Sequence, residues 1–132
     1  YLFKDFTFVP IMISNQKLEN AKSIANALRK VYEREKFVLI TTSDLNHYED
    51  YETTKAKDKL VIDAIKKLDS LELYSRILKY NISACGYACL ATFIEFSKLL
   101  NAKVKFLKYM NSCDVTKDFS YCVGYVSFLS YK

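Results

Sequence analysis

The run FVLITTSDLNHYED, residues 37–50, constrains this chain more than any other: an apolar β-type stretch ends in a Thr-Thr-Ser-Asp step and then presents His47, the sole histidine. A buried strand delivers polar side chains to a site at its carboxyl edge in this way. Upstream, FTFVPIMI (residues 6–13) reads as another buried strand, with Pro10 confined to an edge or a bulge because it offers no N–H. Between the two, Leu18, Ala21, Ile24, Ala25, Leu28, Val31 and Tyr32 recur at helical spacing. That pattern predicts an amphipathic helix over residues 17–33, with Ser14 or Asn15 as N-cap and its apolar stripe laid on a sheet. A strand-helix-strand opening predicts an α/β fold in which helices flank a mixed β-sheet.

The rest of the chain fits that frame. Residues 36–42 form the second predicted strand and 43–53 a polar loop; Thr54 then caps a helix to about residue 67 whose inner face is Leu60, Val61, Ala64, Ile65 and Leu68. A short helix is predicted over 71–79 and a strongly apolar one over 86–100. Residues 104–110 and 121–131 read as an antiparallel strand pair joined by NSCDVTKD. With 51% apolar residues, only two glycines and one proline, the chain has no flexible linker, and residues 1–132 read as a single domain or half-domain. It begins at Tyr1, in an aromatic-rich stretch, which predicts a processed or excerpted product.

Charge and cysteine usage narrow the class. Twenty Lys and Arg are interleaved with fifteen Asp and Glu, a net charge of +5, so the basic residues read as solvated helix faces rather than a nucleic-acid stripe. No apolar run reaches the ~18 residues of a membrane span and no cleavable leader is evident, so a cytoplasmic protein without nucleic-acid or membrane partners is expected. The four cysteines lack zinc-ribbon spacing, and free thiols are the expected state, with packing favoured over a cross-strand disulfide for Cys113 and Cys122.

Chemistry concentrates at two places. His47, just beyond a strand end, can serve as general acid, general base or metal ligand. Cys85 precedes Gly86 at a predicted helix start, where unpaired N–H groups favour a thiolate, itself a nucleophile and soft metal ligand. Cys89, one turn on, reads as a core side chain. Asp44 reads as a loop-amide acceptor. No glycine-rich phosphate loop, nucleophile elbow or HExxH pattern is present.

Taken in order, FTFVPIMIS, TSDLNHY (residues 42–48), Cys85-Gly86, the turn from Tyr109 to Thr116 and Val123-Gly124-Tyr125 resemble the C-terminal half of the Memo family, which is similar to class III extradiol ring-cleaving dioxygenases. The resemblance implies that His47 stands where those dioxygenases keep an acid/base beside a non-haem iron. It also implies that Cys85 occupies the place of a metal-binding carboxylate, and that Asp44 orients the His47 loop. Thiolate for carboxylate shifts the expected ion from iron towards copper. The family's two metal-binding histidines would lie upstream, in an N-terminal half that is then the expected partner. The resemblance therefore implies iron or copper in the intact protein and no tightly held iron in this chain alone. It leaves two readings open: a metal-dependent oxidoreductase, or a non-catalytic module that takes a peptide or small molecule in the same cleft. Convergence of His47 and Cys85 across 38 positions is a direct structural expectation.

Overall fold

A computed structural model describes residues 4–132. In order, its elements are α1 (Leu18–Arg34), β1 (His47–Glu49), α2 (Tyr51–Lys66), α3 (Ser70–Lys79), α4 (Tyr87–Leu99), β2 (Lys103–Asn111), α5 (Ser112–Thr116) and β3 (Cys122–Tyr131). The class is α/β, as expected. The sheet is antiparallel in the order β1-β3-β2, so β3 is the central strand, and a bulge interrupts β2 between Phe106 and Lys108.

Alanines decide how the helices meet. Ala21 and Ala25 of α1 and Ala88 and Ala91 of α4 are all fully buried, and such small side chains let two helix backbones approach closely. The stripe of α1 is therefore spent on α4, not on the sheet, and Val31, at the stripe's margin, stays half exposed. The α2 face of Val61, Ile62, Ala64 and Ile65 meets Leu73 and Ile77 of α3 and Leu90 and Ile94 of α4 in one core, with Val126 and Phe128 of β3 packed against it.

The caps differ from the sequence reading. Lys17 precedes α1 with no side-chain cap, so neither Ser14 nor Asn15 has that role. Asp50 caps α2 by accepting the Thr53 N–H, four residues ahead of the expected cap Thr54, because a carboxylate in extended backbone already satisfies the orphan donor there. Thr54 is instead buried inside α2. The expected loop over 43–53 thus contains β1 and the first turn of α2.

Two expected strands do not form. Residues 6–13 and 36–42 carry no regular structure and join no ladder, since among the described residues no strand pairs with them. Many of their apolar side chains stand in solvent, with Met12 94% and Val38 86% exposed, while Ile13 packs against the core and Phe37 stacks on Phe96. The cysteines are also corrected: Cys113 and Cys122 form a disulfide, while Cys85 and Cys89 are free. The turn of α5, fixed by a reciprocal Asn111–Asp114 capping box, folds the chain back until the two Cα atoms lie 5.6 Å apart, within bridging range. No described helix is long and apolar enough to cross a membrane.

Candidate metal centre

The segment around His47 is anchored from both sides. Leu45 and Asn46 are fully buried, and their backbones pair with Gly124 of β3 through Leu45 N–H to Gly124 O (2.9 Å) and Gly124 N–H to Asn46 O (3.1 Å). At Tyr48 the backbone turns left-handed (φ 65°), and the β1–β3 register shifts between His47 and Glu49. A left-handed bulge at a non-glycine residue costs of order 1–3 kcal/mol and re-aims the side chains beside it. It leaves Tyr48 exposed, its ring 5.3 Å from that of His47.

Ser83, in the connection between α3 and α4, holds His47 twice. The His47 N–H donates to Ser83 Oγ (2.7 Å), and Nδ1 lies 2.7 Å from the Ser83 carbonyl oxygen. A carbonyl only accepts, so Nδ1 carries the proton and donates it. Nε2 then faces Asp44 Oδ2 at 3.5 Å. In a neutral ring of that tautomer, a nitrogen lone pair would confront a carboxylate. A proton on Nε2 or a cation between the groups resolves the confrontation. The His47 side chain is 11% exposed and that of Asp44 49%, so the pair opens to solvent on the Asp44 side.

Cys85 closes the group. Ser43 Oγ accepts the Gly86 N–H (2.8 Å) and lies 4.0 Å from Cys85 Sγ. Gln16 spans the turn from the α1 side, Nε2 donating to Cys85 O (2.7 Å) and Oε1 accepting from Ala88 N–H (3.2 Å). A Cβ on Gly86 would sit 2.9 Å from Ser43 Cβ and 3.0 Å from Thr42 O, so this approach requires glycine. One ligand atom from each of Asp44, His47 and Cys85 lies within 4.8 Å of the others. Ligands bound at ~2.0–2.3 Å to a shared ion stand at most ~4.6 Å apart, so a small closure brings all three onto one ion. Imidazole, thiolate and carboxylate form a donor set suited to a first-row transition metal.

Behind this cluster lies a second polar group. Asp58 of α2, fully buried, accepts the Asn46 N–H (2.8 Å) and the Tyr109 O–H (2.7 Å). Burial pushes its carboxyl above the usual range, against the opposing pull of those two hydrogen bonds and of His47. Nearer the surface, the hydrogen bond from Lys57 holds the Glu49 carboxyl below its usual range despite some burial. Burial, aided by the neighbouring Cys85, raises the Cys89 thiol.

A family model described as Memo-like protein matches residues 1–129. The chain belongs to the Memo-like family. It is 40% identical over 131 residues to a MEMO1 family protein of Thermoplasma acidophilum, covering 98% of the chain and 48% of that relative. It is 41% identical to MEMO1 family proteins of Thermotoga neapolitana (96% of the chain, 45% of the relative) and Aeropyrum pernix (92% and 44%). The chain thus spans about half the length of the curated relatives it matches.

In this Memo-like chain the three residues singled out from sequence, Asp44, His47 and Cys85, are brought together. Cys89 is free and partly buried and stands outside the group, and the other two cysteines form the disulfide elsewhere on β3 and α5. Sequence reasoning missed Gln16, Ser83 and Asp58. Ser83 lies two residues before Cys85, but nothing in a lone serine announces a contact with His47. Asp58 carried a usable signal: an acidic residue three positions before Val61 lies on the apolar face of α2, where an unpaired carboxylate has to be explained.

Proposed function

We propose that the chain is the C-terminal half of a Memo-like protein whose intact form holds a redox metal, copper or iron, at the cluster of Asp44, His47 and Cys85. The observation that carries this reading is the convergence of those three donors around a histidine whose Nδ1–H is committed to the Ser83 carbonyl, leaving Nε2 as the working nitrogen. Cys85 and His47 would hold the ion, which when bound supplies oxidation-reduction or Lewis-acid chemistry to a small-molecule substrate. Asp44 orients His47, while Ser43 and Gln16 fix the Cys85 turn.

Cys85 and His47 alone leave a transition metal short of ligands, so the remaining ones come from the other half of the protein. The segments 6–13 and 36–42 support that arrangement, since they have strand composition, join no ladder and expose apolar side chains such as Met12 and Val38 that further chain could cover. The likeness to class III extradiol dioxygenases favours an oxidoreductase, and ligand capture without chemistry is the rival.

The deciding experiment is metal analysis of the intact protein after loading with copper(I) or iron(II) and removal of excess. One ion per chain is expected, falling to a small fraction in Cys85→Ser and His47→Ala while the 132-residue chain alone keeps no stoichiometric iron. Full occupancy in both variants would overturn the metal reading, and no binding by the unmutated protein would favour the ligand-binding module.

A further inference from the structure

Asp58 is a buried carboxylate without a cationic partner among the described residues, an arrangement that costs free energy unless the group has specific work. Its two hydrogen bonds go to the N–H of Asn46, the residue immediately before His47, and to Tyr109. The fold makes room for it at a defined point. A Cβ on Gly124 would lie 1.7 Å from Asp58 Oδ2, so the carboxylate occupies the space a side chain would otherwise fill in the central strand. From Asn46 the connection continues. Asn46 Oδ1 accepts from both the N–H and the hydroxyl of Ser83 (3.2 Å each), and its amide NH2 donates to Glu49 Oε2 (2.6 Å). Ser83 is the residue that fixes the His47 ring.

We propose that Asp58, Asn46 and Ser83 form a positioning relay that holds His47 in its Nδ1–H form, with Nε2 turned towards Asp44 and Cys85. The relay acts on a residue 11 positions from Asp58 in sequence, through the buried Asn46. Its anchor is the carboxylate: with Asp58 in place, Asn46 has its N–H, its carbonyl and its side chain all committed, so its amide cannot swing away from Ser83. Without it the Asn46 N–H is orphaned in the core, and a buried donor recovers a partner by moving the backbone. Any such movement is passed to His47, the next residue. Outer partners of a ligating histidine typically govern 10- to 100-fold in metal affinity, so the inference rests on the metal reading for its purpose but not for its geometry.

The single histidine makes the test direct. In the metal-free chain labelled with 15N-histidine, a long-range 1H–15N spectrum recorded where the ring is neutral shows which nitrogen bears the proton. The unmutated chain is expected to show Nδ1–H. Asp58→Ala is expected to move the ring towards the Nε2–H form that free histidine favours, and Asp58→Asn, which keeps an oxygen for the Asn46 N–H, is expected to retain Nδ1–H. Far-UV circular dichroism reports whether each variant is folded. A folded Asp58→Ala chain that keeps Nδ1–H would overturn the relay. Should Asp58→Ala not fold, Asn46→Ala decides, because it keeps the backbone N–H to Asp58 but removes both bonds to Ser83: an unchanged tautomer there would overturn the proposal equally. Zinc titration of the intact protein adds a second readout, with Asp58→Ala expected to weaken binding by about 10- to 100-fold. If the unmutated protein holds neither zinc nor copper(I) nor iron(II) while the tautomer shifts as expected, the metal reading fails and the relay stands.

Discussion

Substitution of Gly124 by alanine puts the packing behind the site to a quantitative test. The new Cβ would lie 1.7 Å from Asp58 Oδ2 and 2.5 Å from Cγ, whereas ordinary contact begins near 3.4 Å, so the carboxylate must retreat by about 1.7 Å. Its bonds to Asn46 N–H (2.8 Å) and Tyr109 O–H (2.7 Å) cannot both survive a retreat of that size. Hydrogen bonds to charged groups contribute ~1.5–3 kcal/mol each, so their joint loss costs ~3–6 kcal/mol. Alanine restricts the unfolded chain more than glycine and returns ~0.4–1 kcal/mol, leaving a net destabilisation of ~2–5 kcal/mol. Urea unfolding followed by far-UV circular dichroism would measure it, with an unchanged m-value showing that the unfolded state is the same. A double-mutant cycle identifies the cause: once Asp58→Ala has emptied the space, Gly124→Ala should cost little, giving a coupling of ~2 kcal/mol or more. A Gly124→Ala chain within ~0.5 kcal/mol of the unmutated one, or costs that simply add, would refute the steric argument.

Other outcomes follow from the same geometry. Limited iodoacetamide labelling should modify exposed Cys85 before Cys89, whose thiol is raised by burial; peptide mass spectrometry showing the reverse order would mean the α4 entry is misplaced. Reducing the Cys113–Cys122 bridge, nine positions apart in sequence, should lower stability by ~2–3 kcal/mol on the loop-entropy estimate, and an unchanged urea midpoint with dithiothreitol would contradict a stabilising disulfide. Because burial raises the Asp58 carboxyl above 3.8, its contribution to stability is complete below that pH and is lost as pH rises through its folded value, whereas Glu49, held below 4.5, contributes above that pH and loses it on acidification. Asp58→Asn should therefore gain in melting temperature relative to the unmutated chain as pH rises from about 3.5 to about 6, and a pH-independent difference would show that Asp58 is not raised.

Much of the framework was legible because periodicity survives local detail. The α1 and α3 boundaries and the β2 and β3 strands fall within one residue or so of their sequence expectation. What misled was context. Residues 6–13 and 36–42 have strand composition, but a strand exists only with a neighbour, which no property of the segment itself supplies. The stripe of α1 announced burial without naming α4 as its partner, since Ala21 and Ala25 signal close approach and not to what. At the site, the types of His47, Cys85 and Asp44 and their place at element ends were visible. The glycine beside Cys85 hinted at the tight turn that Ser43 completes. The residues that hold them, Ser83, Gln16 and Asp58, act across 36, 69 and 12 positions through polar bonds that leave no periodic trace.

The central claim, that Cys85 and His47 share one ion, is tested most directly by zinc K-edge X-ray absorption of the intact protein loaded with one equivalent of zinc as a redox-silent probe. One sulfur at ~2.3 Å and an imidazole nitrogen at ~2.0–2.1 Å are expected, with the sulfur lost in Cys85→Ser and the imidazole signal reduced in His47→Ala. A shell of oxygen and nitrogen alone, unchanged by either substitution, would contradict it.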